Sequence, residues 1–293
     1  MTPVHVLLTL LVVVIWGLAF VATRIALDVF SPPQLTALRF LVAAAPAVWL
    51  ARPPLAWHTL TLVGLSLFAG QFLFQFFGIA VGMPPGLASI VVQTQALFTI
   101  LFSALALRER PSGRQWTGTA VAFTGLAVIA TTVGHDLTVI GLLLTGVSAV
   151  SWGIGNVLIK QLPPVDTLHV MVWLSLVPPV PSLALSALLD GPSALLTALS
   201  SASWLQLGAV LYLGMVATVL AYAIWGRLLR QYPAATVAPF ALLVPFVAAY
   251  GSSLAFGERF GMLRLTGMGL VLLGLAVIVT TGRRWDIIAA HAD

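Results

Sequence analysis

The sequence predicts an all-α polytopic membrane protein, in which ten transmembrane helices form two inverted five-helix repeats around a central cavity. Apolar residues make up 60% of the 293 residues and charged residues only 7%, whereas soluble domains carry about 25% charged residues. The chain holds ten successive apolar segments of roughly 20 residues, the length that crosses a bilayer. Short motifs of the first half also return in the second half.

The repeated motifs define the internal organisation of the chain. One motif returns after 136 residues and two return after 149 residues. Each repeat holds five predicted spans, and an odd number places the two copies in opposite orientations in the membrane. We predict repeats over residues 1–133 and 134–293, within one integral membrane unit. The matched segments are Trp16-Gly17 with Trp152-Gly153, Thr117-Gly118 with Thr266-Gly267, and Gly125–Ile129 with Gly274–Ile278.

Proline, glycine and charged residues mark the joints between the spans. The longer joint from Asp190 to Ser203 accounts for the 13 residues by which the two offsets differ. The first apolar run exceeds the core of a signal peptide and lacks a charged leader, so we expect it to be a retained helix. The predicted spans are Val4–Leu27, Pro33–Ala51, Leu60–Val81, Pro85–Leu107, Gln115–Thr132, Thr138–Lys160, Thr167–Leu189, Trp204–Leu229, Ala234–Phe256 and Met262–Thr281.

Basic residues are concentrated on one side of the predicted membrane. With a cytoplasmic N-terminus, nine lysines and arginines fall inside and three outside, while Arg39 lies within a span. Cytoplasmic loops carry such an excess of positive charge, so we predict a bacterial-type cytoplasmic (inner) membrane with both termini in the cytoplasm. The inside set is Arg52, Arg108, Arg110, Arg114, Lys160, Arg227, Arg230, Arg283 and Arg284, and the outside set is Arg24, Arg259 and Arg264.

Missing residue types exclude several classes of function. The chain has no cysteine, which excludes disulfides and thiolate metal sites. It has no Gly-x-x-x-x-Gly-Lys phosphate loop, which excludes direct drive by ATP. All eight acidic residues lie at joints or tails, so no span carries a central carboxylate for a proton relay. We expect no cofactor, no metal and no nucleic-acid partner, with either facilitated export or proton coupling through Asp28 or Asp166.

The same pattern favours a carrier over an enzyme or a channel. An intramembrane enzyme would need catalytic carboxylates, a metal cluster or a Ser/His pair, and none is evident. A channel needs a continuous polar pore, whereas inverted duplication is typical of alternating access. The expected partners are a small-molecule substrate and the lipid bilayer. The oligomeric state stays open, because the small-residue faces of spans 5 and 10 could pack within one molecule or between copies.

Amide side chains within the spans are the first candidate substrate contacts. Gln71 and Gln75 lie one helical turn apart on one face of span 3. Their amides can both donate and accept, which suits the ammonium and carboxylate of an amino acid; the alternative role is hydrogen bonding between helices. Gln93 and Gln95 are two residues apart and point in different directions, so we expect only one of them to reach the cavity.

Aromatic residues at repeated positions are the second group of candidates. Trp16 and Phe20 share a face of span 1, and their repeat mates are Trp152 and Asn156 of span 6. Symmetry-related positions meet between the repeats, where the substrate site of such a carrier lies. Aromatic rings accept varied side chains and an ammonium group. The alternative is that Trp-Gly is a packing motif whose glycine admits a neighbouring helix.

Spans 8 and 9 supply the remaining candidates. Tyr212 and Tyr222 fall on one face of span 8, and Tyr222 lies too deep for an anchor at the membrane surface. Pro239 and Pro245 interrupt span 9. Proline there removes helix hydrogen bonds, so we predict a gating hinge at these two positions, with a purely architectural kink as the alternative.

Charged residues near the span ends are given structural roles. Arg39 lies about two turns inside span 2, roughly 9 Å from its start at 1.5 Å per residue. It could bind a substrate carboxylate, but we favour a side chain that reaches outward or pairs with Asp28. Glu109 and Glu258 lie at matching joints, where a helix N-terminus and flanking arginines stabilise them. Lys160, at the end of span 6, is interpreted as a cytoplasmic anchor.

Several segments resemble EamA-type members of the drug/metabolite transporter superfamily, and the likeness runs nearly end to end. The Gln-Thr-Gln segment of span 4 and two segments of span 8 most resemble bacterial exporters of cysteine and O-acetylserine; exporters of aromatic amino acids are similar too. The resemblance implies a ten-helix fold whose cavity is lined mainly by spans 1, 3, 4, 6, 8 and 9. The segments are Trp16–Phe20, Leu38–Phe40, Gly86–Ser89, Gln93–Gln95, Arg108–Arg110, Val216–Thr218, Ile224–Gly226 and Gly257–Arg259.

The resemblance implies a secondary transporter that exports amino acids and related small metabolites across the cytoplasmic membrane by alternating access. The alternative is a multidrug carrier or a carrier of another metabolite, such as a nucleotide sugar, because the superfamily also moves these substrates. We expect substrate binding by the ten residues Trp16, Phe20, Gln71, Gln75, Gln93, Gln95, Trp152, Asn156, Tyr212 and Tyr222.

Overall fold

The computed structural model describes residues 1–134 and 136–279, which form helices and contain no β-strand. Helical segments α1–α10 fall at the positions of the predicted spans. Their bounds are Pro3–Ala26 (α1), Pro32–Ala44 (α2), Trp57–Ala80 (α3), Pro85–Ala106 (α4), Gly113–Ala130 (α5), Val139–Lys160 (α6), Thr167–Leu189 (α7), Trp204–Gln231 (α8), Ala238–Phe256 (α9) and Met262–Val279 (α10). A short helix, Ala194–Ser201, lies in the long joint between α7 and α8.

Eight of these helices are long and apolar enough to cross a membrane, as far as the described residues show. The other two are α2 and α5. Helix α2 has 13 residues and continues as a 3₁₀-helix at Ala45–Val48. At 1.5 Å per α-helical and about 2 Å per 3₁₀ residue, the two segments together rise about 28 Å, close to a hydrocarbon core about 30 Å thick. Helix α5 has 18 residues and opens on the polar pair Arg114 and Gln115. The protein is thus a multi-pass helical membrane protein, and crossing by all ten segments stays a prediction.

The last part of the predicted topology lies outside the described residues. The predicted tenth span ends at Thr281, two residues beyond the last described one, and the basic pair Arg283 and Arg284 follows it. The cytoplasmic C-terminus inferred from that pair therefore stays a prediction.

Helices α5 and α10 cross at matching glycines. This crossing decides whether the small-residue faces of the two helices pack within one molecule or between copies. A Cβ added at Gly118 would lie 2.6 Å from the carbonyl oxygen of Gly274, and one at Gly125 would lie 2.6 Å from that of Gly267. Such close approach of two backbones requires residues without a side chain. Gly118 and Gly267 are repeat mates, as are Gly125 and Gly274. The small-residue faces therefore pack within one molecule, in a crossing that is nearly self-symmetric.

The Trp-Gly motifs are packing positions in both repeats. Gly17 of α1 faces Val247 of α9, and an added Cβ would lie 2.5 Å from the Cβ of Val247. Its mate Gly153 of α6 faces Phe98 of α4, with a corresponding distance of 2.8 Å to the Phe98 Cβ. Phe98 and Val247 are themselves 149 residues apart. Equivalent helix pairs in the two halves therefore make the same contact.

Helix α7 is interrupted between Leu174 and Pro179. Four further helices are interrupted or change helix type, and these four match between the repeats. Helix α3 contains a π-helical segment at Leu65–Gly70, and α8 contains one at Tyr212–Leu220. Helix α4 is interrupted between Val92 and Gln95, and α9 begins as a 3₁₀-helix at Ala238–Leu243. Irregular backbone at membrane depth is tolerated where protein covers it or where it lines a cavity. Discontinuous helices also surround the substrate sites of many secondary transporters.

Ion pairs connect the joints at both ends of the bundle. Because successive helices run in opposite directions, two pairs fall at the end that carries Lys160 and two at the end that carries Arg24; we call these the Lys160 end and the Arg24 end. Most of the paired side chains are exposed, so solvent screening leaves each pair a small contribution to stability. The ion pairs among the described residues are Lys160–Glu109, Arg230–Asp166, Arg24–Asp28 and Arg264–Asp136.

Asp166 caps the N-terminus of α7. Its Oδ1 accepts hydrogen bonds from the backbone N–H groups of Leu168 at 2.8 Å and His169 at 3.3 Å, and its Oδ2 accepts one from Arg230 at 2.8 Å. Burial opposes ionisation, but the hydrogen bonds to the cap and the charge of Arg230 outweigh it and hold the pKa of Asp166 below its ordinary value of 3.8. The ionised carboxylate therefore stabilises the folded protein.

Replacing this cap should reduce stability in a pH-dependent manner. We expect Asp166→Ala to lower the free energy of unfolding by about 1 kcal/mol at pH 7, and Asp166→Asn to retain most of the cap. A depressed pKa stabilises the folded state above the unfolded-state pKa, and this contribution is lost as the pH falls through the folded-state pKa. Thermal unfolding in detergent should therefore show a smaller difference between wild type and Asp166→Ala at pH 3 than at pH 7. Equal differences at both pH values would contradict the assignment.

Candidate functional site

A cavity of about 290 Å³ lies between the two halves of the molecule. Its wall is mainly apolar, with a few polar groups that can orient a ligand, as in most small-molecule sites. Helices α1, α3, α4, α6, α8 and α9 contribute to it, and α2 adds Arg39. Eight of the ten residues predicted to contact substrate line this cavity: Trp16, Phe20, Gln71, Gln75, Gln93, Gln95, Trp152 and Tyr222.

Aromatic rings form one wall of the cavity. The ring of Trp16 lies 5.5 Å from that of Tyr222 and 5.1 Å from that of Trp225, measured between centroids. Its indole Nε1 donates a hydrogen bond to the carbonyl oxygen of Ala217 at 3.0 Å. Trp152, the repeat mate of Trp16, packs edge-on against Phe72 at 6.4 Å. The Trp-Gly motif thus has both roles considered above, because the glycine packs against a helix and the tryptophan lines the cavity.

Gln71 and Gln75 form a buried pair on α3. The Nε2 of Gln71 donates to the Oε1 of Gln75 at 2.6 Å, and the two residues are only 2% and 4% exposed. The Oε1 of Gln71 is buried without a hydrogen-bond partner in the described part of the chain. A buried carbonyl oxygen without a partner is unfavourable, so a donor on a bound molecule would stabilise this atom.

Gln93 and Gln95 both line the cavity, and the prediction that only one reaches it is wrong. The interruption of α4 between Val92 and Gln95 changes the helical phase, so two residues separated by one position contribute to the same wall. Gln93 Nε2 donates to the carbonyl oxygen of Ala241 in the 3₁₀ segment of α9, at 3.0 Å. Gln95 Oε1, like that of Gln71, has no hydrogen-bond partner among the described residues.

Arg39 lies inside the protein, and the expectation that it reaches outward or pairs with Asp28 is wrong. Its side chain is nearly fully buried, with the residue 4% exposed, and it lines the cavity. Its Nε and Nη2 both donate to the hydroxyl of Thr218 at 3.2 Å, and its Cζ lies 3.9 Å from the centre of the Phe72 ring. Asp28 pairs instead with Arg24.

Asn156 and Tyr212 lie away from the cavity wall. The Nδ2 of Asn156 donates to the Oγ1 of Thr99 at 3.0 Å, a contact between α6 and α4. The hydroxyl of Tyr212 donates to the carbonyl oxygen of Ile15 at 2.7 Å. Tyr212 begins the π-helical segment of α8, and Tyr222 lies in the α-helix that follows it. The wider π-helical turns change the angle between the two side chains. An ideal α-helical count therefore placed them on one face incorrectly.

Pro239 and Pro245 lie at a real change of helix type. Pro239 is in the 3₁₀ segment, and Pro245 is in the first turn of the α-helix that begins at Val244. Ala241 and Val244, between the two prolines, line the cavity. The interruption therefore brings backbone to the site, while the role of a hinge stays a prediction.

Residues not singled out from the sequence complete the wall. Thr23 extends the face of Trp16 and Phe20 by one further turn of α1, and Trp225 lies one turn from Tyr222 on α8. A spacing of three or four residues marks a shared helix face, so this periodicity was available in the sequence. Arg39 gave no such signal, because spacing along α2 does not reveal which helix covers it.

The polar groups of the cavity suit reversible binding. They comprise one guanidinium, four carboxamides, the hydroxyls of Thr23 and Ser89, the Tyr222 phenol and the indole N–H groups of three tryptophans. The residues lining the cavity include no carboxylate. Within the described part of the chain, no three His, Cys, Asp or Glu side chains come together as a metal site. The site can therefore form hydrogen bonds with a ligand, attract an anionic group through the Arg39 guanidinium, and contact the ligand with aromatic rings.

A second cavity of about 610 Å³ opens at the Arg24 end. Its charged lining residues include Arg24, Asp28 and Glu258. The Oε2 of Glu258 accepts a hydrogen bond from the backbone N–H of Gly86, in the first turn of α4, at 3.2 Å. Burial raises the pKa of the Glu258 carboxyl above its ordinary value. We call this space the vestibule.

The family model of EamA-like transporters matches residues 4–131 and 139–280 of the chain. The chain belongs to this transporter family. The fold is also similar to that of a protein of known crystal structure, with a TM-score of 0.64 and 21% sequence identity. The aligned region covers 98% of this transporter and 99% of the other chain. At that identity the likeness concerns the fold alone.

Named relatives of the transporter span nearly its whole length. It is 38% identical over 285 residues to a "Probable amino-acid metabolite efflux pump" of Escherichia coli (strain K12), covering 95% of each chain. It is 39% identical over 279 residues to a protein of the same name from Salmonella typhimurium, covering 93% of each. A "Probable terminal-alkyne amino-acid exporter" of Streptantibioticus cattleyicolor is 28% identical over 288 residues, covering 94% of this chain and 93% of that protein.

Proposed function

We propose that this transporter exports amino acids and related small metabolites across the cytoplasmic membrane. The names of the relatives at 38% and 39% identity support this substrate class. The observation that carries the proposal is the cavity between the repeats, with aromatic walls and orienting amides. Aromatic rings receive apolar side chains and cations, and amides bind both ends of a zwitterion. The substrate contacts are Trp16, Phe20, Gln71, Gln75, Gln93, Gln95, Trp152 and Tyr222.

The size of the cavity favours this class over the larger substrates of the superfamily. Its volume of about 290 Å³ is near the lower limit of the ~300–1,000 Å³ range of ligand pockets. A single amino acid fits such a space better than a nucleotide sugar, which carries a base, a ribose, two phosphates and a sugar. Export of drugs or other compact metabolites is the second candidate, because mainly apolar walls also accept these molecules.

We further propose transport by alternating access between two inverted five-helix repeats, residues 1–133 and 134–293. The separate family matches to residues 4–131 and 139–280 support this division. The equivalent contacts of Gly17 with Val247 and of Gly153 with Phe98 support the symmetry. In this scheme α2 and α5 also cross the membrane, Pro239 and Pro245 form the hinge in α9, and both termini lie in the cytoplasm.

The distribution of acids favours facilitated export over proton coupling. Asp28 and Asp166, the two acids considered for coupling, are engaged in ion pairs at opposite ends of the bundle. The residues lining the cavity include no carboxylate that could carry a proton with the substrate. A carrier that moves a proton together with its substrate needs a titratable group at the cavity itself.

Counterflow in proteoliposomes tests the proposal. Vesicles would be loaded with unlabelled L-cysteine or L-phenylalanine, and entry of the same labelled amino acid would be followed with and without an imposed pH gradient. We expect saturable exchange that the gradient leaves unchanged. Exchange of a cationic drug without any amino-acid exchange would refute the substrate class, and a rate that follows the pH gradient would refute facilitated transport.

A further inference from the structure

Arg39 is a buried cation whose guanidinium is incompletely satisfied. A guanidinium carries five N–H donors, whereas Arg39 makes hydrogen bonds to one acceptor, the Thr218 hydroxyl. The ion pairs found among the described residues do not include it. A charged group inside a membrane bundle is costly unless it is paired, and it commonly marks a substrate pathway.

Arg264, the second buried arginine among the described residues, has a carboxylate partner within the protein. Arg264, 8% exposed, donates to Asp136 at 2.7 Å and to the hydroxyl and carbonyl groups of Thr132 at 3.1 and 3.2 Å. The fold thus neutralises Arg264 with a carboxylate but leaves Arg39 at a cavity without one. An anion in the cavity would neutralise Arg39 and accept hydrogen bonds from its remaining N–H groups.

The cavity also holds buried acceptors without donors. Gln71 and Gln95 line it, and their Oε1 atoms are buried without a hydrogen-bond partner in the described part of the chain. An ammonium group carries three donors and would satisfy such oxygens. One cavity therefore presents an unneutralised cation together with unpaired acceptors.

We propose that Arg39 binds the carboxylate of an exported α-amino acid, while the carbonyl oxygens of Gln71 and Gln95 accept hydrogen bonds from its ammonium group. This inference rests on the proposed function and names the part of the substrate that is recognised. The planar guanidinium can bind a carboxylate through two parallel hydrogen bonds. Stacking of Arg39 on the Phe72 ring holds its plane in place. The side chain of the substrate then faces the aromatic wall.

Substrate analogues that lack one charge test this assignment. Counterflow would use whichever of L-cysteine and L-phenylalanine the wild type exchanges, with its C-terminal amide, its decarboxylated amine and its N-acetyl derivative. We expect Arg39→Gln to lower exchange of the amino acid relative to the amide by at least about tenfold, the effect of losing one charged hydrogen bond. Arg39→Lys should retain part of the preference.

Matched controls separate this role from a structural one. Arg264→Gln should lower thermal stability but leave the ratio of amino acid to amide unchanged, whereas Arg39→Gln should not lower stability, because it removes a buried charge without an acidic partner. An unchanged ratio in Arg39→Gln would overturn the carboxylate assignment, and good exchange of the N-acetyl derivative would overturn the ammonium assignment. Failure of the wild type to exchange any amino acid would instead overturn the proposed function.

A second inference comes from a difference between the two ends of the molecule. At the Lys160 end, the Nζ of Lys160 lies 3.0 Å from the Oε2 of Glu109 and 3.0 Å from the Oγ of Ser103. These residues join the end of α6 to the end of α4 and the joint that follows it. Their repeat mates are Arg24, Glu258 and Ser252, at offsets of 136, 149 and 149 residues.

The mates at the Arg24 end do not form the corresponding cluster. Arg24 pairs with Asp28 on its own helix, and Glu258 binds the backbone N–H of Gly86. The hydroxyl of Ser252 is buried near Glu258, but makes no hydrogen bond of normal geometry to a described residue. Arg24 and Glu258 both line the vestibule. The cluster at the Lys160 end therefore connects α6 to α4, whereas at the Arg24 end the matching residues line the open vestibule.

We infer that the two clusters are alternate gates, and that the gate of Arg24, Glu258 and Ser252 closes when that of Lys160, Glu109 and Ser103 opens. Inverted repeats can exchange conformations, which converts access from one side of the membrane to access from the other. In the exchanged state Arg24 leaves Asp28 for Glu258 and Ser252, as Lys160 joins Glu109 and Ser103 in the present state. Each cluster stabilises one state, and removing one shifts the population toward the other.

Cysteine labelling from both faces of the membrane tests the gates. The chain has no native cysteine, so Ala241→Cys at a half-buried position of the cavity wall would be the only thiol. An impermeant maleimide would be added to either face of oriented vesicles. Adding Glu109→Gln should slow labelling from the Arg24 end and speed it from the Lys160 end, whereas adding Glu258→Gln should do the opposite.

The control variant breaks an ion pair that is not part of a gate. Arg230→Gln removes the pair with Asp166 at the Lys160 end and should leave both labelling rates unchanged. Asp28→Asn frees Arg24 and should act in the same direction as Glu109→Gln. Shifts of the same direction in Glu109→Gln and Glu258→Gln, or no shift in either, would overturn the inference. The readout is accessibility and not transport, so the identity of the substrate does not affect it.

Discussion

Replacing Gly274 by leucine is expected to prevent stable packing of α5 against α10. A Cβ at Gly274 would lie 2.6 Å from the backbone nitrogen of Ala122 and 2.8 Å from its Cβ. Both contacts involve the opposing helix close to its backbone, so neither can yield by rotating a flexible side chain. Overpacking of a well-packed core costs about 1–3 kcal/mol, and we expect at least the upper end of that range because the leucine meets backbone.

The matched control lies on the same helix. An added Cβ at Gly269 would have no neighbouring atom within 4 Å, so Gly269→Leu makes the same chemical change on an open face of α10. Thermal unfolding in detergent, followed by tryptophan fluorescence, should show a large loss for Gly274→Leu and little change for Gly269→Leu. Equal unfolding temperatures for the two variants would show that the crossing does not stabilise the fold.

Replacing Trp16 by alanine is expected to produce the largest loss of transport among the aromatic positions. Trp16 contacts Tyr222 and Trp225 and donates a hydrogen bond to the backbone of α8. Its removal opens the wall and takes away the ring that would contact the substrate. Burial of a large apolar side chain is worth about 1.5–3 kcal/mol, so KM for the exchanged amino acid should rise at least about tenfold.

Two further variants distinguish recognition from folding. Trp16→Phe keeps a ring and should retain most of the affinity, although it loses the hydrogen bond to Ala217. Trp204, at the start of α8, is 89% exposed, so Trp204→Ala should leave KM unchanged. The measurement is initial-rate counterflow at varied substrate concentration, corrected for the amount of folded protein. A similar rise of KM in Trp16→Ala and Trp204→Ala would contradict the assignment.

Most of the cavity wall could be predicted because it follows from symmetry and helix periodicity. Trp16 and Trp152 are repeat mates, and Gln71 and Gln75 lie one turn apart, so regular helices place each set together. The prediction failed where a helix is irregular. The interruption of α4 brought both Gln93 and Gln95 to the cavity, and the π-helical segment of α8 separated Tyr212 from Tyr222. The prediction assumed ideal α-helices, and the spacing of residues in such a helix does not reveal where the helical turn changes.

The sequence alone determined the class of the protein and predicted its division into halves, because apolar length and repeated motifs are properties of the chain. Only the tertiary structure decided which helix covers each residue. It placed Arg39 beside Thr218 and Phe72 instead of Asp28, and it joined Lys160 to Glu109 while their mates Arg24 and Glu258 stayed apart. The contacts of Arg39 with Phe72 and Thr218, and of Lys160 with Glu109, connect residues more than 30 positions apart. They follow from how the helices pack, which a pattern along one helix does not specify.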